Sequence, residues 1–171
     1  MSTSLSEVVL AVALFGLLAG IVAPTVESSD SARLDAAAQE LAATLRLAQA
    51  EAMRVGQPHG VVYNSTTQSL KVSSADPSTE PFVATSDTYH PVKKQPLTWQ
   101  ADWLTLSPAD NIFDYGAYGN SNYLMFDAWG TPLLHIGGVY RRLKDTTLSL
   151  YIREQRKTVK IEHMTGRVVV Q

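Results

Sequence analysis

The sequence predicts an α+β protein in which a long N-terminal helix packs on an antiparallel β-sheet or β-sandwich head. Two observations predict this class. Before Gly56 the apolar residues form either an unbroken run or a helical stripe. After Gly60 short β-prone runs alternate with turn residues. We therefore divide the chain into an apolar helix half (residues 1–26), an amphipathic helix half (27–57) and a β head (60–171).

Composition supports a folded chain and excludes several kinds of site. Hydrophobic residues make up 45% of the 171 residues and charged residues 18%, which disfavours disorder over most of the length. The absence of cysteine excludes disulfides, thiolate nucleophiles and cysteine metal sites. Net charge is -2. Residues 141–171 carry eight bases and three acids, so this end is +5 and the remainder is -7.

The first helix half has three interpretations. Residues 8–23 are uncharged, and as a helix they would span about 25 Å, close to the roughly 30 Å hydrocarbon core of a bilayer. A cleaved secretory signal is disfavoured because residues 1–6 contain no Lys or Arg. A buried core helix is disfavoured because the segment is apolar on all sides and lies at the chain terminus. A transmembrane anchor fits best, although Glu7 at its start is costly in a bilayer unless it is paired.

The spacing of Glu7, Gly16 and Pro24 is specific. Gly16 follows Glu7 by nine residues, and Pro24 follows Gly16 by eight. This pattern resembles the N-terminal helix of type IV pilins and pseudopilins, in which residues 3–7 would stand for the family's F-T-x-x-E start. The resemblance implies a single-pass bacterial inner-membrane anchor with the head on the periplasmic or outer side. It also implies that Glu7 makes an inter-subunit contact and that a prepilin peptidase processes the chain.

The second helix half is amphipathic. Its apolar residues recur at intervals of three and four, which places them on one helix face; they are Leu34, Ala38, Leu41, Leu45, Ala48, Ala52 and Val55. We expect this face to pack on the protein's own sheet rather than in an intermolecular coiled coil. Residues 28–31 read either as a polar break or as the outer face of one continuous helix. Gly56 and Pro58 end the helix.

The remainder predicts sequential antiparallel strands, with residues 107–122 as a polar loop. The predicted strands are 60–63, 69–73, 82–84, 97–106, 123–126, 132–135, 139–143, 147–153, 158–163 and 167–170. Three segments resemble the H-type minor pseudopilins, the GspH and FimT-like branch: residues 41–52, 126–132 and 159–168. The resemblance touches both ends and the middle of the chain and is absent over residues 64–120.

Sequence motifs give no sign of catalysis, and we expect no enzyme, no cofactor and no metal. No nucleophile elbow, P-loop, dinucleotide-binding glycine pattern or His-Glu-x-x-His occurs. The four histidines, His59, His90, His135 and His163, show no ligand spacing. Asp110, Asp114 and Asp127 lie in or near a glycine-containing loop, but their spacing matches no calcium loop, so we expect solvated turn aspartates.

The basic C-terminal region gives a DNA-binding alternative. Its candidate residues, which could form one positive face, are Arg153, Arg156, Lys157, Lys160 and Arg167. Some relatives in type IV pilus systems bind DNA during uptake, as the resemblance implies. Against this, strand charges usually mark the solvated face of a half-buried sheet, and no Lys/Arg run with interleaved aromatics is present. Nucleic acid is therefore not the expected partner.

The favoured function is a minor pseudopilin, a structural subunit of the type II secretion pseudopilus. The resemblance implies that its partners are other pseudopilins or pilins in a helical filament, the inner membrane and the secretion machinery. Two alternatives stay open: a type IV minor pilin with a DNA-uptake role, and a membrane-anchored enzyme. The enzyme would require a clustered acid/base site, which the sequence does not show.

Overall fold

The computed structural model describes residues 5–76, 83–89, 94–136, 139–144 and 146–171, without the side chains of residues 5–28, 83–85 and 135–136. The chain divides into two compact units, Met1–Arg33 and Leu34–Gln171. The predictions for the side chains of Glu7, Gly16 and Pro24 lie outside the described residues. Within the described part of the chain, no helix has the length and apolar character needed to cross a membrane.

The helix, α1, extends over Leu5–Val55, within the two predicted helix halves, residues 1–26 and 27–57. It continues through residues 28–31, so these residues do not break it. Its end is where the sequence predicts, and the Gly56 N–H still donates to the Ala52 carbonyl oxygen at 3.0 Å. Of the seven stripe residues, all but Val55 are buried. Val55 is 42% exposed, because the chain leaves the helix at Gly56 and the last turn is partly uncovered.

Thirteen strands are present among the described residues, together with one short 3-10 helix at Gly116–Tyr118. The strands are β1 (His59–Asn64), β2 (Ser69–Asp76), β3 (Val83–Asp87), β4 (Thr98–Gln100), β5 (Thr105–Ser107), β6 (Phe113–Asp114), β7 (Asn120–Ser121), β8 (Tyr123–Phe126), β9 (Pro132–Ile136), β10 (Val139–Arg142), β11 (Thr146–Ile152), β12 (Gln155–Ile161) and β13 (Val168–Val170). Every pairing between these strands is antiparallel, as predicted.

The strands form two main sheets and one small ribbon. The first sheet has the order β10-β9-β8-β1-β2-β3, and β4 also pairs with β2. The second has the order β13-β12-β11-β5, and the ribbon joins β6 to β7. Apolar residues face each other across strands, as Val61 does with Val72 and Leu148 with Val159. The helix stripe and both sheets contribute to one hydrophobic core, which confirms the α+β fold and the packing of the helix on its own sheets.

Two predictions for the middle of the chain were wrong. The single strand over 97–106 is divided between the sheets: Trp99 pairs with Leu70 in the first sheet, and Leu106 pairs with Leu150 in the second. Its continuous β-prone composition hid the turn between the two parts, where the Leu104 N–H donates to the Ala101 carbonyl. The predicted loop 107–122 contains the β6–β7 ribbon, because Phe113 is drawn into the core.

Candidate functional site

Gln49, on the helix, holds together two glycine-containing turns of the head. Its Nε2 donates at 2.8 Å to the Gly130 carbonyl in the β8–β9 turn and at 2.8 Å to the Thr165 carbonyl in the β12–β13 connection. A side-chain amide has two N–H groups, so each carbonyl receives one. One helical turn earlier, Arg46 donates to the Val168 carbonyl of β13 at 2.8 Å. These contacts fix the helix against both sheets.

The two turns also touch each other, and this contact requires glycine. Gly166 has a φ of +67°, a conformation that residues with a Cβ rarely adopt. A Cβ placed there would lie 2.6 Å from Gln49 Nε2 and 2.6 Å from the Gly130 carbonyl oxygen. At Gly130 an added Cβ would lie 3.1 Å from Gln49 Cγ and 3.1 Å from Met53 Sδ. The junction therefore has no room for a side chain at Gly166, and at Gly130 an added side chain would press on Gln49 and Met53.

Asp127 makes the β8–β9 turn rigid. Its Oδ1 accepts hydrogen bonds from the Trp129 N–H at 2.9 Å and the Thr131 N–H at 2.8 Å. Its backbone carbonyl accepts from the Gly130 N–H at 2.9 Å, and its own N–H donates to the Thr131 carbonyl at 3.1 Å. A carboxylate that satisfies two backbone donors holds the turn in one conformation. The turn presents Trp129, which is 84% exposed.

Exposed apolar side chains lie near Trp129. We call this region, formed by Met53, Trp129, Tyr140, Arg142 and Met164, the Trp129 surface. Its members are contiguous: Met53 lies against Gly130, and Arg142 Nη1 lies 3.7 Å from Met164 Sδ. A pocket of about 460 Å³ opens beside Trp129, with Met125 and Leu133 among its apolar lining and Tyr140 and Arg142 on its wall. A head that keeps such a cluster exposed is suited to binding a partner.

The predicted DNA-binding residues do not share one face. Arg153 lies in the β11–β12 turn, with a φ of +52°. The strand β12 begins at Gln155 rather than at the predicted residue 158. Side chains alternate along β12, so Arg156 and Lys160 lie on the side opposite Lys157. Lys157 faces the helix and pairs with Asp35 at 2.8 Å. Arg167 borders the groove between β13 and the helix, beside Arg46. The single positive face is thus not formed, because strand alternation separates the charges.

The loop aspartates serve the local backbone and nearby side chains. Asp114 accepts from the Gly116 N–H at 2.6 Å and lies 3.7 Å from Lys144 Nζ. Burial raises the pKa of the Tyr63 phenol, and the negative charge of Asp110 raises it further. Within the described ranges no group of His, Asp and Glu side chains is arranged to hold a metal ion. His59 contacts the Gln57 carbonyl at 3.2 Å; His90 and the His135 side chain lie outside the described residues.

Comparison with known proteins decides the family. The sequence profile of the family described as type II transport protein GspH matches residues 37–162, most of the chain. The chain belongs to the GspH family. A search of curated proteins gives no match. The matched range includes Gln49, the Trp129 surface except Met164, and the turn after β8.

Solved structures with the same fold include two minor pilin-like proteins. The minor pseudopilin EpsH of the Vibrio cholerae type 2 secretion system is 18% identical, with a TM-score of 0.52 over 81% of this chain and 95% of that one. The type IV minor pilin FimU of Pseudomonas aeruginosa is 17% identical, with a TM-score of 0.50 over 81% and 92%. These similarities show that the GspH-family chain has the pilin-like fold, as the sequence predicts.

The GspH-like segments of the sequence meet in space. Residues 126–132 supply the β8–β9 turn, residues 159–168 supply the β12–β13 connection, and residues 41–52 supply Gln49 between them. Sequence reasoning missed Gln49 because it lies off the apolar stripe, where a polar residue is expected to be solvated. It also missed Trp129, whose place after a predicted strand suggested only a turn. The sequence signal for both was the pair of glycines, Gly130 and Gly166, each in a predicted turn.

Proposed function

We propose that this chain is a minor pseudopilin, a structural subunit of the type II secretion pseudopilus. Its N-terminal helix half anchors it in the bacterial inner membrane before assembly, and then packs with the helices of neighbouring pseudopilins. The observation that carries the proposal is the GspH family match over residues 37–162. The intervals between Glu7, Gly16 and Pro24 support it, because they resemble the assembly helix of pilins and pseudopilins.

The proposed role is mechanical rather than catalytic. The head is held to its helix by the core and by the Gln49 and Arg46 hydrogen bonds, so force applied to the helix reaches both sheets. Glu7 provides the register between subunits. A carboxylate in the apolar bundle is stable only beside a donor such as a neighbour's N-terminal amine. Each subunit would therefore take the position along its neighbour at which that pair forms.

Glu7→Ala tests the assembly role. Breaking a buried ion pair by removing one partner typically costs about 3–5 kcal/mol, enough to reduce assembly by orders of magnitude. We expect normal amounts of the variant in the membrane fraction and loss of co-purification with partner pseudopilins. Glu27→Ala is the matched control, since it removes an acid from the same helix beyond the apolar run. If Glu7→Ala assembles as well as Glu27→Ala, the proposed role of this helix is wrong.

A type IV minor pilin is the second candidate, favoured by the structural similarity to FimU. Deletion of the gene separates the two roles: loss of exoprotein secretion supports the pseudopilus, and loss of pili or of DNA uptake supports the pilus. A DNA-uptake role further requires that residues 27–171 bind duplex DNA with an affinity that falls steeply with salt. We expect weak binding at physiological salt, because the basic residues are divided between surfaces. Tight binding that Arg156→Glu with Lys157→Glu abolishes would support the alternative.

A further inference from the structure

The Trp129 surface has the composition of a protein interface. Tryptophan, tyrosine, methionine and arginine are enriched where proteins bind each other, and Trp, Tyr and Arg dominate the residues that carry binding energy. All of these types occur here, and Trp129 is 84% exposed. The surface lies at the C-terminal end of the helix, beside Met53.

The backbone that carries Trp129 is held in place. Asp127 fixes the turn on one side through its two accepted backbone N–H bonds, and Gln49 fixes it on the other through the Gly130 carbonyl. A turn whose backbone is already ordered loses little backbone entropy when a partner binds, which favours affinity. The exposure of this indole therefore does not reflect a loosely held loop.

The pocket and its charge define the partner. A volume of about 460 Å³ lies within the roughly 300–1,000 Å³ range of binding pockets, and it accommodates a large apolar side chain. Arg142 stands on its wall. Among the described residues the guanidinium of Arg142 has only the Met164 thioether, a weak acceptor, within hydrogen-bond distance. Asp127 lies on the same pocket lining. Its Oδ1 accepts both turn N–H groups, and among the described residues no ion pair joins it to Arg142. An incoming carboxylate would complete the site.

We propose that the Trp129 surface binds a neighbouring subunit of the filament, through a segment that places a large apolar side chain in the pocket and an Asp or Glu carboxylate against Arg142. The inference rests on the proposed assembly function. A membrane surface is the less fitting partner, because lipid headgroups are typically recognised by clusters of about 4–8 Lys or Arg. Here one arginine borders a concave apolar pocket.

The absence of cysteine allows a direct test. Ala128→Cys in the full chain provides the only thiol, which is labelled with a benzophenone maleimide in envelope membranes and irradiated. We expect an adduct with another pilin-like subunit, whose crosslinked peptide contains an acid beside a large apolar residue. Thr66→Cys, in the exposed β1–β2 turn at the other end of β1, is the control and should give at least tenfold less adduct. The cysteine-free chain corrects for labelling of other proteins.

Substitutions then test the contacts. Trp129→Ala and Arg142→Glu should each reduce the Ala128→Cys adduct at least tenfold, and reversing the partner's acid to Lys should restore the adduct of Arg142→Glu. Met164→Cys serves in place of Ala128→Cys if the latter does not accumulate. An adduct unaffected by Trp129→Ala, or an equal adduct from Thr66→Cys, overturns the proposal. The proposal is also wrong if Ala128→Cys gives no protein adduct and the chain instead floats with phosphatidylcholine–phosphatidylglycerol vesicles in a way that Trp129→Ala abolishes. That result would identify a membrane surface as the partner.

The two proposals fail differently. If Glu7→Ala abolishes co-purification but Trp129→Ala leaves both co-purification and the adduct intact, the assembly function stands and the docking surface is wrong. If Glu7→Ala assembles normally and deletion of the gene leaves exoprotein secretion intact, the assembly function itself is wrong. Any Ala128→Cys adduct would then come from a partner outside the filament. That result also overturns the docking proposal.

Discussion

The two sides of the β8–β9 turn differ in the use they make of polar groups. On the side facing the helix, Gly130 and Gln49 are in close contact, and the Gly130 carbonyl receives a hydrogen bond. At the Trp129 surface, which Met53 borders, the indole is exposed, and Arg142 lacks a carboxylate among the described residues. The first arrangement stabilises the fold, whereas the second leaves the indole and the guanidinium available to bind a partner. Substitutions on the two sides should therefore change different measurements.

Gly166→Ala should have the largest effect on stability. The methyl group would meet Gln49 and the Gly130 carbonyl at 2.6 Å, and the left-handed backbone adds a further cost. Together overpacking and the unfavourable backbone predict a loss of about 2–5 kcal/mol in the free energy of unfolding, measured with urea. Gly56→Ala is the matched control, because its φ is +68° but nothing lies within 4 Å of the added Cβ. Equal losses would show that the junction is not tightly packed.

Gln49→Ala should follow, with a loss of about 1–2 kcal/mol, because the carbonyls of Gly130 and Thr165 lose their donor. Gln49→Glu should be worse, since a carboxylate would face two carbonyl oxygens without a hydrogen to share. Gln39→Ala removes an exposed glutamine from the same helix and should change the urea midpoint very little. If the urea midpoint of Gln49→Ala is as high as that of Gln39→Ala, the Gln49 hydrogen bonds do not stabilise the junction.

Alkaline pH should destabilise the head through Tyr115. Burial raises the pKa of its phenol, which donates to the Tyr123 carbonyl at 2.9 Å. Above the unfolded pKa of about 10, the unfolded chain loses the proton and the folded chain keeps it, so stability falls as pH rises, by up to about 1.4 kcal/mol per pH unit. Tyr115→Phe should reduce this slope between pH 10 and 11.5. A slope unchanged by Tyr115→Phe would place the titration elsewhere, and Tyr63→Phe then tests the second tyrosine with a raised pKa.

Trp129→Ala should have the smallest effect on stability, within about 0.5 kcal/mol of the unchanged protein, because surface substitutions away from packed features rarely do more. Urea unfolding measures it beside Gln49→Ala. A loss above about 1 kcal/mol would mean that the indole supports the turn rather than a partner.

Periodicity predicted the helix and most strands, because burial of one face imposes a regular spacing. It correctly placed Leu41 and Leu45 in the core and Gly56 at the helix end. It was wrong where a long-range contact decides the local structure. Trp99 and Leu106 lie in one β-prone run, but they pair with strands of different sheets. Phe113 was assigned to a loop, although its side chain is buried in the core.

Site residues were harder to predict, because their roles depend on contacts distant in sequence. Gln49 binds carbonyls 81 and 116 residues away, and no local pattern shows this. Lys157 was grouped with Arg156 and Lys160 by charge alone, but alternation along β12 turns it towards Asp35. The family resemblance identified both glycine turns without showing that they meet.

The most direct test of the division between the two sides of the turn measures stability and docking on the same proteins. Gln49→Ala and Trp129→Ala are each combined with Ala128→Cys, and both urea midpoint and adduct yield are recorded at a temperature where all variants are folded. We expect Gln49→Ala to lower the midpoint and retain most of the adduct, because the Asp127 hydrogen bonds still hold the turn. We expect Trp129→Ala to keep the midpoint and lose the adduct. If both variants change both quantities in proportion, the turn has one structural role and the division is wrong.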